Sequence, residues 1–442
     1  MTFRILLVII SLALAAGVPA RAEKETAPLG AWQNPDIGLV YDLKMDWHNA
    51  DRDADGSRRW TTRGFDLATA ELSVGAEADP FGRIDFNAMF FEEGAEIHEL
   101  FFTMPALPLG LKAQGGQFLA SFGRWSRFHA HAMPFASEPR ILGEYLGGHL
   151  LPQGLELSWL APTDHYLEVR GGMFNGIEGH SHDSDPAGPG DAFGPGNPPP
   201  GCHYHDGELH CPDDPGAEEY YRSLLDDPEA PVAPGPNRGL EDLAWLGRVQ
   251  SSLEMGDAWS VDLGASVIHQ DNHRSSLRFE GWDYAKTVAG FDVTFFWSPP
   301  EQNLYRGLDF GVEYLHNREQ FEVQHEEEPE AAGVAGIAAL AEDHEGEWLR
   351  ETLTRDGFFT WARYRASRRW EFGSYLESFA ARNGPDGDRT RIGGFLTFNV
   401  SHYQKLRLEY VHDDRGDFAE GVDQVILQFD GLIGYHTHGR QR

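Results

Sequence analysis

The densest run of metal-ligating side chains in this chain is GCHYHDGELHC, residues 201–211. It sets His203, His205 and His210, with Asp206 and Glu208, between Cys202 and Cys211, and the sequence has no other cysteine. His180, His182, Asp183 and Asp185 lie shortly upstream. Imidazole combined with carboxylate suits Zn²⁺ and its neighbours Cu²⁺ and Ni²⁺. A His-x-His pair without supporting hydrogen bonds suits transient capture better than a rigid tetrahedral site. A second His-x-His, His129 and His131, opens another candidate group that continues through Glu138, Glu144 and His149. The two cysteines are either thiolate ligands or a disulfide, and the compartment decides between them.

The ends of the chain bear on the compartment. MTFRILLVIISLALAAGVPARA places Arg4 before an apolar run, breaks that run at Gly17 and Pro19, and ends on a small-residue cleavage pattern at Ala22. That is the pattern of a secretory leader over 1–22, too short in its apolar core for a spanning helix. Export places the cysteines where oxidation is favoured, so a Cys202–Cys211 disulfide is expected. It would staple His203, His205 and His210 together, leaving the histidines as the ligands. The formal charge of −34 excludes nucleic acid bound through phosphate contacts and favours cations near the surface.

The elements that must carry these residues are strands. In GLVYDLKMDWH, Leu39, Tyr41, Leu43, Met45 and Trp47 alternate with Val40, Asp42, Lys44, Asp46 and His48. This period of two is the signature of a strand with unlike faces. It recurs to DQVILQFDGLIGY near the C-terminus, giving sixteen strands near 37–48, 64–78, 83–92, 95–104, 111–122, 154–161, 166–175, 243–255, 258–269, 282–297, 307–316, 357–367, 369–380, 390–400, 405–412 and 422–435. Short turns such as DPFGR, APTDH and EMGDA alternate with long polar segments. An even-numbered meander with short and long connections on opposite ends describes a transmembrane antiparallel β-barrel of the Gram-negative outer membrane. A soluble β-sandwich also alternates, but has no reason to gather every long loop at one end. Trp47, Trp159, Trp245, Trp259, Trp297 and Tyr435 fall near strand ends, as interfacial aromatics do.

The expected organisation is therefore a leader over 1–22, a periplasmic segment over 23–36, a barrel over 37–435 and a tail over 436–442. Polar residues such as Asp85, Asn87, Glu156, Arg248 and Gln250 fall on the lumen side of their strands, opposite Ile84, Phe86, Leu155 and Val249. A barrel of this size leaves an aqueous interior. Three outer loops stand out. The loop over 176–242 is rich in Pro, Gly, Asp and His and cannot build a packed core. The loop over 122–154 is too apolar to stand in water, with Phe128, Met133, Phe135, Leu142 and Leu146. It is expected either to fold against the wall and narrow the pore, lined by His129, His131, Glu138, Glu144 and His149, or to cap the mouth. The acidic loop over 316–356 carries His325 and His344, with a short helix pair or lid over 330–353. It would gather divalent cations, or bridge lipopolysaccharide through Ca²⁺ or Mg²⁺.

No G-x-S-x-G, H-E-x-x-H or P-loop pattern is present, so an enzyme is not expected. FDLATAELSVGAEADPFGRIDF, LKAQGGQFLASFGRWSRFHAHAMPF and GLELSWLAPTDHYLEVRGGMFNG together resemble porin-like outer-membrane proteins often labelled zinc-regulated TonB-dependent outer-membrane receptors. The run Phe122, Gly123, Arg124, His129, His131, Pro134, Phe135 is the most specific part. The resemblance implies passage of zinc or a related divalent metal across the outer membrane. It also implies a plug domain. Here the first strand follows soon after the expected cleavage site, and EKETAPLGAWQNP shows no TonB-contact box, so coupling to TonB is not expected.

The function read from the sequence is a channel for divalent ions, zinc first. His180, His182, Asp183, His203, His205 and His210 would capture the ion outside, with His129, His131 and His149 below. No cofactor is required beyond loosely bound Zn²⁺. The partners are outer-membrane lipid and lipopolysaccharide, and a homo-oligomer is compatible with the fold. A general porin for small solutes and a surface metal scavenger that conducts nothing are the alternatives.

Overall fold

The computed structural model describes residues 35–49, 59–79, 81–91, 94–177, 179–180, 203–205, 208–210, 239–275, 283–302, 305–324, 348–381, 388–414 and 421–434. The leader over 1–22 and the tail over 436–442 lie outside them, as do His325, His344 and Tyr435.

The strands follow one another as β1 (Asp36–His48), β2 (Thr61–Asp79), β3 (Gly82–Phe91), β4 (Gly94–Leu107), β5 (Leu111–Gln117), β6 (His149–Leu150), β7 (Gln153–Leu160) and β8 (Tyr166–Phe174). Then come β9 (Gly179–His180), β10 (His203–His205), β11 (Glu208–His210), β12 (Ala244–Met255), β13 (Trp259–Ser275) and β14 (Asp283–Trp297). The last six are β15 (Gly307–Gln324), β16 (Trp348–Arg365), β17 (Trp370–Ala380), β18 (Asp388–Asn399), β19 (Gln404–Asp414) and β20 (Val422–Gly434). All but the short β6, β9, β10 and β11 form a closed antiparallel barrel, in which β1 pairs with β20 from Gly38↔Gly434 to His48↔Gln424. Closure satisfies every strand edge, which is what a sheet needs in order to cross a bilayer.

The alternation sorts the faces as the sequence suggests. Leu39, Ile84, Leu155, Val249 and Ile433 are exposed on the outside, while Asp42, Asp85, Asn87, Glu156, Arg248, Gln428 and Asp430 are buried within. This apolar exterior on a closed even-numbered barrel places the protein in the outer membrane.

Three expectations need correction. β15 continues to Gln324 and β16 resumes at Trp348, so the segment expected as an outer loop over 316–356 is largely strand at both ends. At ~3.3 Å per residue and ~40° tilt, such strands outreach the ~25 Å apolar band and stand into the outer medium. The part of the expected lid over 348–353 is strand, and 330–347 lies outside the described residues. β5 ends at Gln117 rather than near 122, because the chain there turns into the barrel.

The third correction concerns the lumen, which is not wholly polar. Phe118, Phe122, Trp125, Met133, Phe135, Ile141, Leu142, Tyr145 and Leu146 of the loop after β5 are buried. They pack on inward-facing Val288, Leu315, Phe359, Trp361, Tyr375, Phe379 and Phe395. The molecule's hydrophobic core thus lies inside the barrel. Trp125 is its centre, edge-on to Phe135 and Trp361 at 5.0 Å each.

Candidate metal site in the lumen

The loop over 118–152 is fastened to the wall chiefly by carboxylates that accept its backbone N–H groups. Leu119 donates to Glu99 on β4 (3.0 Å), Ser121 to Glu156 on β7 (3.1 Å), and Arg124 and Trp125 to the two oxygens of Glu313 on β15 (3.0 and 3.3 Å). Ala136 donates to Glu409 on β19 (2.5 Å) and Ile141 to Glu377 on β17 (3.2 Å). In return Arg355 on β16 donates to Glu144 (2.7 Å), Arg391 on β18 to the carbonyl of Glu138 (2.9 Å), and Lys405 on β19 to that of His131 (2.8 Å). A loop without regular structure must satisfy its buried N–H groups somewhere. Here the wall supplies the acceptors. Since β4 and β16 face each other across the ring, the loop spans the lumen. Of the two expectations for it, folding inward is the one the structure realises.

The helix Arg140–Leu146 closes with Gly147 in the left-handed conformation, its N–H returned to Gly143 and Leu142. Before it, His129 and Met133 flank a single tight turn, Ala130–Ala132. That turn brings His129 and His131 to the same wall, where ring centroids are 5.3 Å apart.

The wall beneath them is β2, β3 and β4. Ladder pairing shifts between Asn87↔Glu99 and Ala88↔Ile97, leaving His98 as an extra residue in β4. This bulge buries two consecutive side chains, His98 and Glu99, which a regular strand would point in opposite directions. His98 then sits 4.9 Å from the His129 ring.

Glu71, His129 and His131 each offer one ligand atom, and these atoms lie within 4.8 Å of one another, all buried. His129 Nδ1 is 3.5 Å and His131 Nδ1 3.9 Å from Glu71 Oε2. Bonds of ~2.0–2.2 Å in a tetrahedron separate ligand atoms by roughly 3.4 Å, which the His129–Glu71 and His131–Glu71 separations approach, while the whole set must draw in from its 4.8 Å limit to hold an ion. The other ring nitrogen of His129 meets Glu99 Oε2 at 3.2 Å. Ser73 donates to Glu71 (3.0 Å), and Asn87 to Glu99 (2.5 Å). These are the supporting hydrogen bonds that orient metal ligands and fix a tautomer. Burial pushes His129 down to about 4, against the opposing charges of Glu71 and Glu99. Burial thus favours the neutral ring, the form that ligates.

The expected group divides: His149 meets Glu138, its Nε2 2.8 Å from Oε1, and neither joins the set of Glu71, His129 and His131. The backbone of His149 pairs with His180 in the short sheet β6–β9, which ties the loop over 118–152 to the start of the His-rich loop. β10 and β11 form a separate ribbon that sets His203 opposite His210 and His205 opposite Glu208. His182, Asp183, Cys202 and Cys211, the last two expected as a disulfide, lie outside the described residues. Glu71, Glu99 and His98 were not singled out from sequence. The signal for the last two is EIHELFF, where two adjacent polar residues interrupt strict alternation.

No family model matches the chain. A protein of Aquifex aeolicus described as uncharacterized is 23% identical over 390 residues, covering 85% of this chain and 70% of that one. Among solved structures, the anion-selective porin from Comamonas acidovorans is 10% identical with a TM-score of 0.49, covering 90% of this chain and 99% of that chain. OprB of Pseudomonas putida in its high-pH structure is 9% identical with a TM-score of 0.49, covering 90% and 94%. The outer-membrane channel DcaP of Acinetobacter baumannii is 11% identical with a TM-score of 0.48, covering 90% and 97%.

Proposed function

We propose that this protein is a porin-like outer-membrane channel that admits divalent metal ions, zinc first, by passive diffusion. The observation that carries the reading is the convergence of Glu71, His129 and His131 on one buried point of the lumen, with Glu99 orienting His129. Two nitrogens and one carboxylate oxygen form an open three-ligand set of the kind zinc accepts. The ion is the cargo, not a resident cofactor. His180, His182, Asp183, His203, His205 and His210 of the outer loop would raise its local concentration, and His149 with Glu138 would offer a further contact below. Weak binding at several stations is what conduction requires, because a tight site does not release. Coupling to TonB is no part of this reading.

The test is zinc entry into proteoliposomes loaded with a fluorescent chelator. Wild-type protein should admit Zn²⁺ faster than Mg²⁺, and Glu71→Gln with His129→Ala should remove the preference. Selectivity for anions in a planar bilayer would refute the reading. A second reading, a metal scavenger that conducts nothing, is favoured by the span of the loop from β4 to β16. Absence of any conductance in the same bilayer would establish it instead.

A further inference from the structure

A different motif recurs on the outside of the barrel. On β15, Tyr314 and His316 face outward, and both reach Asp356 on β16. The hydroxyl of Tyr314 donates to Oδ1, and His316 Nδ1 meets the same oxygen at 2.7 Å. On β19 and β20 the arrangement repeats. Tyr410 donates to Asp423 Oδ1 at 2.7 Å, and His412 Nδ1 lies 2.8 Å from it. In each, a Tyr-x-His on one strand meets an aspartate directly opposite the histidine on the next, as the pairs His316↔Asp356 and His412↔Asp423 show. The imidazoles remain about two-fifths exposed.

Their height is informative. His316 and His412 stand about eight or nine residues from the periplasmic starts of their strands at Gly307 and Gln404. At ~3.3 Å per residue and ~40° tilt this is ~20–23 Å, the outer edge of an apolar band ~25 Å tall. Below them the same faces are apolar, with Val312 under Tyr314 and Leu406 and Leu408 under Tyr410. Above His316, Arg318 is exposed on the same face. The carboxylates are satisfied within the protein, Asp356 by Tyr314 and His316 and Asp423 by Tyr410, His412 and Asn49, but the exposed imidazole edges are polar surface at lipid level, and a partner for them belongs there.

We infer that these two Tyr-x-His/Asp stations hold the phosphate groups of an outer-leaflet glycolipid. The aspartate fixes each ring through Nδ1, which leaves Nε2 as the remaining polar edge of the part-exposed rings; at His412 that edge lies beside Gly421, just outside β20. A phosphate monoester satisfies Nε2 in either protonation state: it accepts from the imidazolium, or donates its own O–H to the neutral ring. Arg318 adds a guanidinium, the usual partner of phosphate. The height of the motif and its outward direction select a lipid headgroup over a soluble anion.

The test uses delipidated full-length protein in detergent with diphosphorylated lipid A, read by native mass spectrometry. Wild-type protein should retain the phosphorylated lipid at least fivefold better than the same lipid without phosphates. His316→Ala with His412→Ala should abolish that difference. His316→Gln with His412→Gln, which keeps polar bulk, should do the same while heat-modifiable gel mobility shows an intact barrel. Both histidines face away from the lumen, so Zn²⁺ entry should not change. Equal retention by wild type and variants would overturn the inference. So would displacement by millimolar inorganic phosphate alone, which would mark a free-anion site, or loss of wild-type retention on EDTA, which would mark a bridging cation.

Discussion

The carboxylate of Glu409, on β19, accepts the backbone N–H of Ala136 at 2.5 Å and the hydroxyl of Ser137 through its other oxygen. Glu313 does the same for two successive N–H groups on another strand. Lumen acids that could attract cations are thereby used to hold a loop. Leaving a buried donor unsatisfied costs about 1–3 kcal/mol. Replacing Glu409 and Glu313 together by alanine should therefore release the loop over 118–152 while the barrel persists. Single-channel conductance should rise several-fold, and proteolysis should appear within that loop. Unchanged conductance would count against the loop as the closing element.

Gly123 offers a second route to the same result. It sits at φ +56°, and a Cβ there would fall 1.9 Å from Glu313 Oε1. Gly123→Ala should displace that carboxylate and reproduce the conductance of a Glu313 variant without altering any charge. A variant that conducts as wild type would show that the Glu313 contact does not hold the loop.

Metal affinity should follow the two tiers of the lumen site. Losing Glu71 or His129 removes a ligand, and isothermal titration with Zn²⁺ should show a loss of about 100-fold, roughly 2.7 kcal/mol. Glu99→Gln leaves the ligands in place but disorients His129, for which about 10–100-fold is expected. Equal affinities for wild type and the Glu71 variant would remove the site from consideration.

Deletion of His98 separates the bulge from the register. Without it, Glu99 would still oppose Asn87 and Ile97 would still oppose Ala88, now in a regular ladder. The barrel should assemble in normal yield, with zinc affinity altered only modestly. Failure to assemble would mean that the bulge is needed for the fold and not merely for the site.

Trp125→Ala tests the core in the lumen. Phe135, Trp361 and Phe359 surround that ring, and a Trp→Ala change in such packing costs about 3–5 kcal/mol. Amide exchange in the loop should accelerate by orders of magnitude, while exchange in the strands stays slow.

The barrel was legible in the sequence because its period of two repeats sixteen times, and each strand supports the same reading. The inward path of the loop was half legible. Phe128, Met133 and Phe135 announced burial, but not which surface would cover them. The site was less legible, for physical reasons. His129 and His131 draw attention by type and spacing, whereas Glu71 and Glu99 look like any inward-facing acids on a polar lumen face. Their role depends on which strands the loop reaches, a long-range fact that no local pattern encodes. His149 shows the converse. Its residue type suggested the same cluster, yet its backbone pairs with His180 and its ring meets Glu138.

Ala136 and Glu409 are separated by 273 positions in the chain. Contacts of such separation form late, because the intervening chain must be ordered before they contribute. The loop is complete by residue 152 of 442, yet its docking posts on β15, β17 and β19 follow only from Gly307 onward. Docking must therefore wait until the C-terminal strands curl around, and barrel closure and loop seating become a single final step. During assembly the apolar face of the loop has no surface to cover it. In that exposed interval a substitution such as Trp125→Ala would lower assembly yield, in addition to loosening the loop once it is seated.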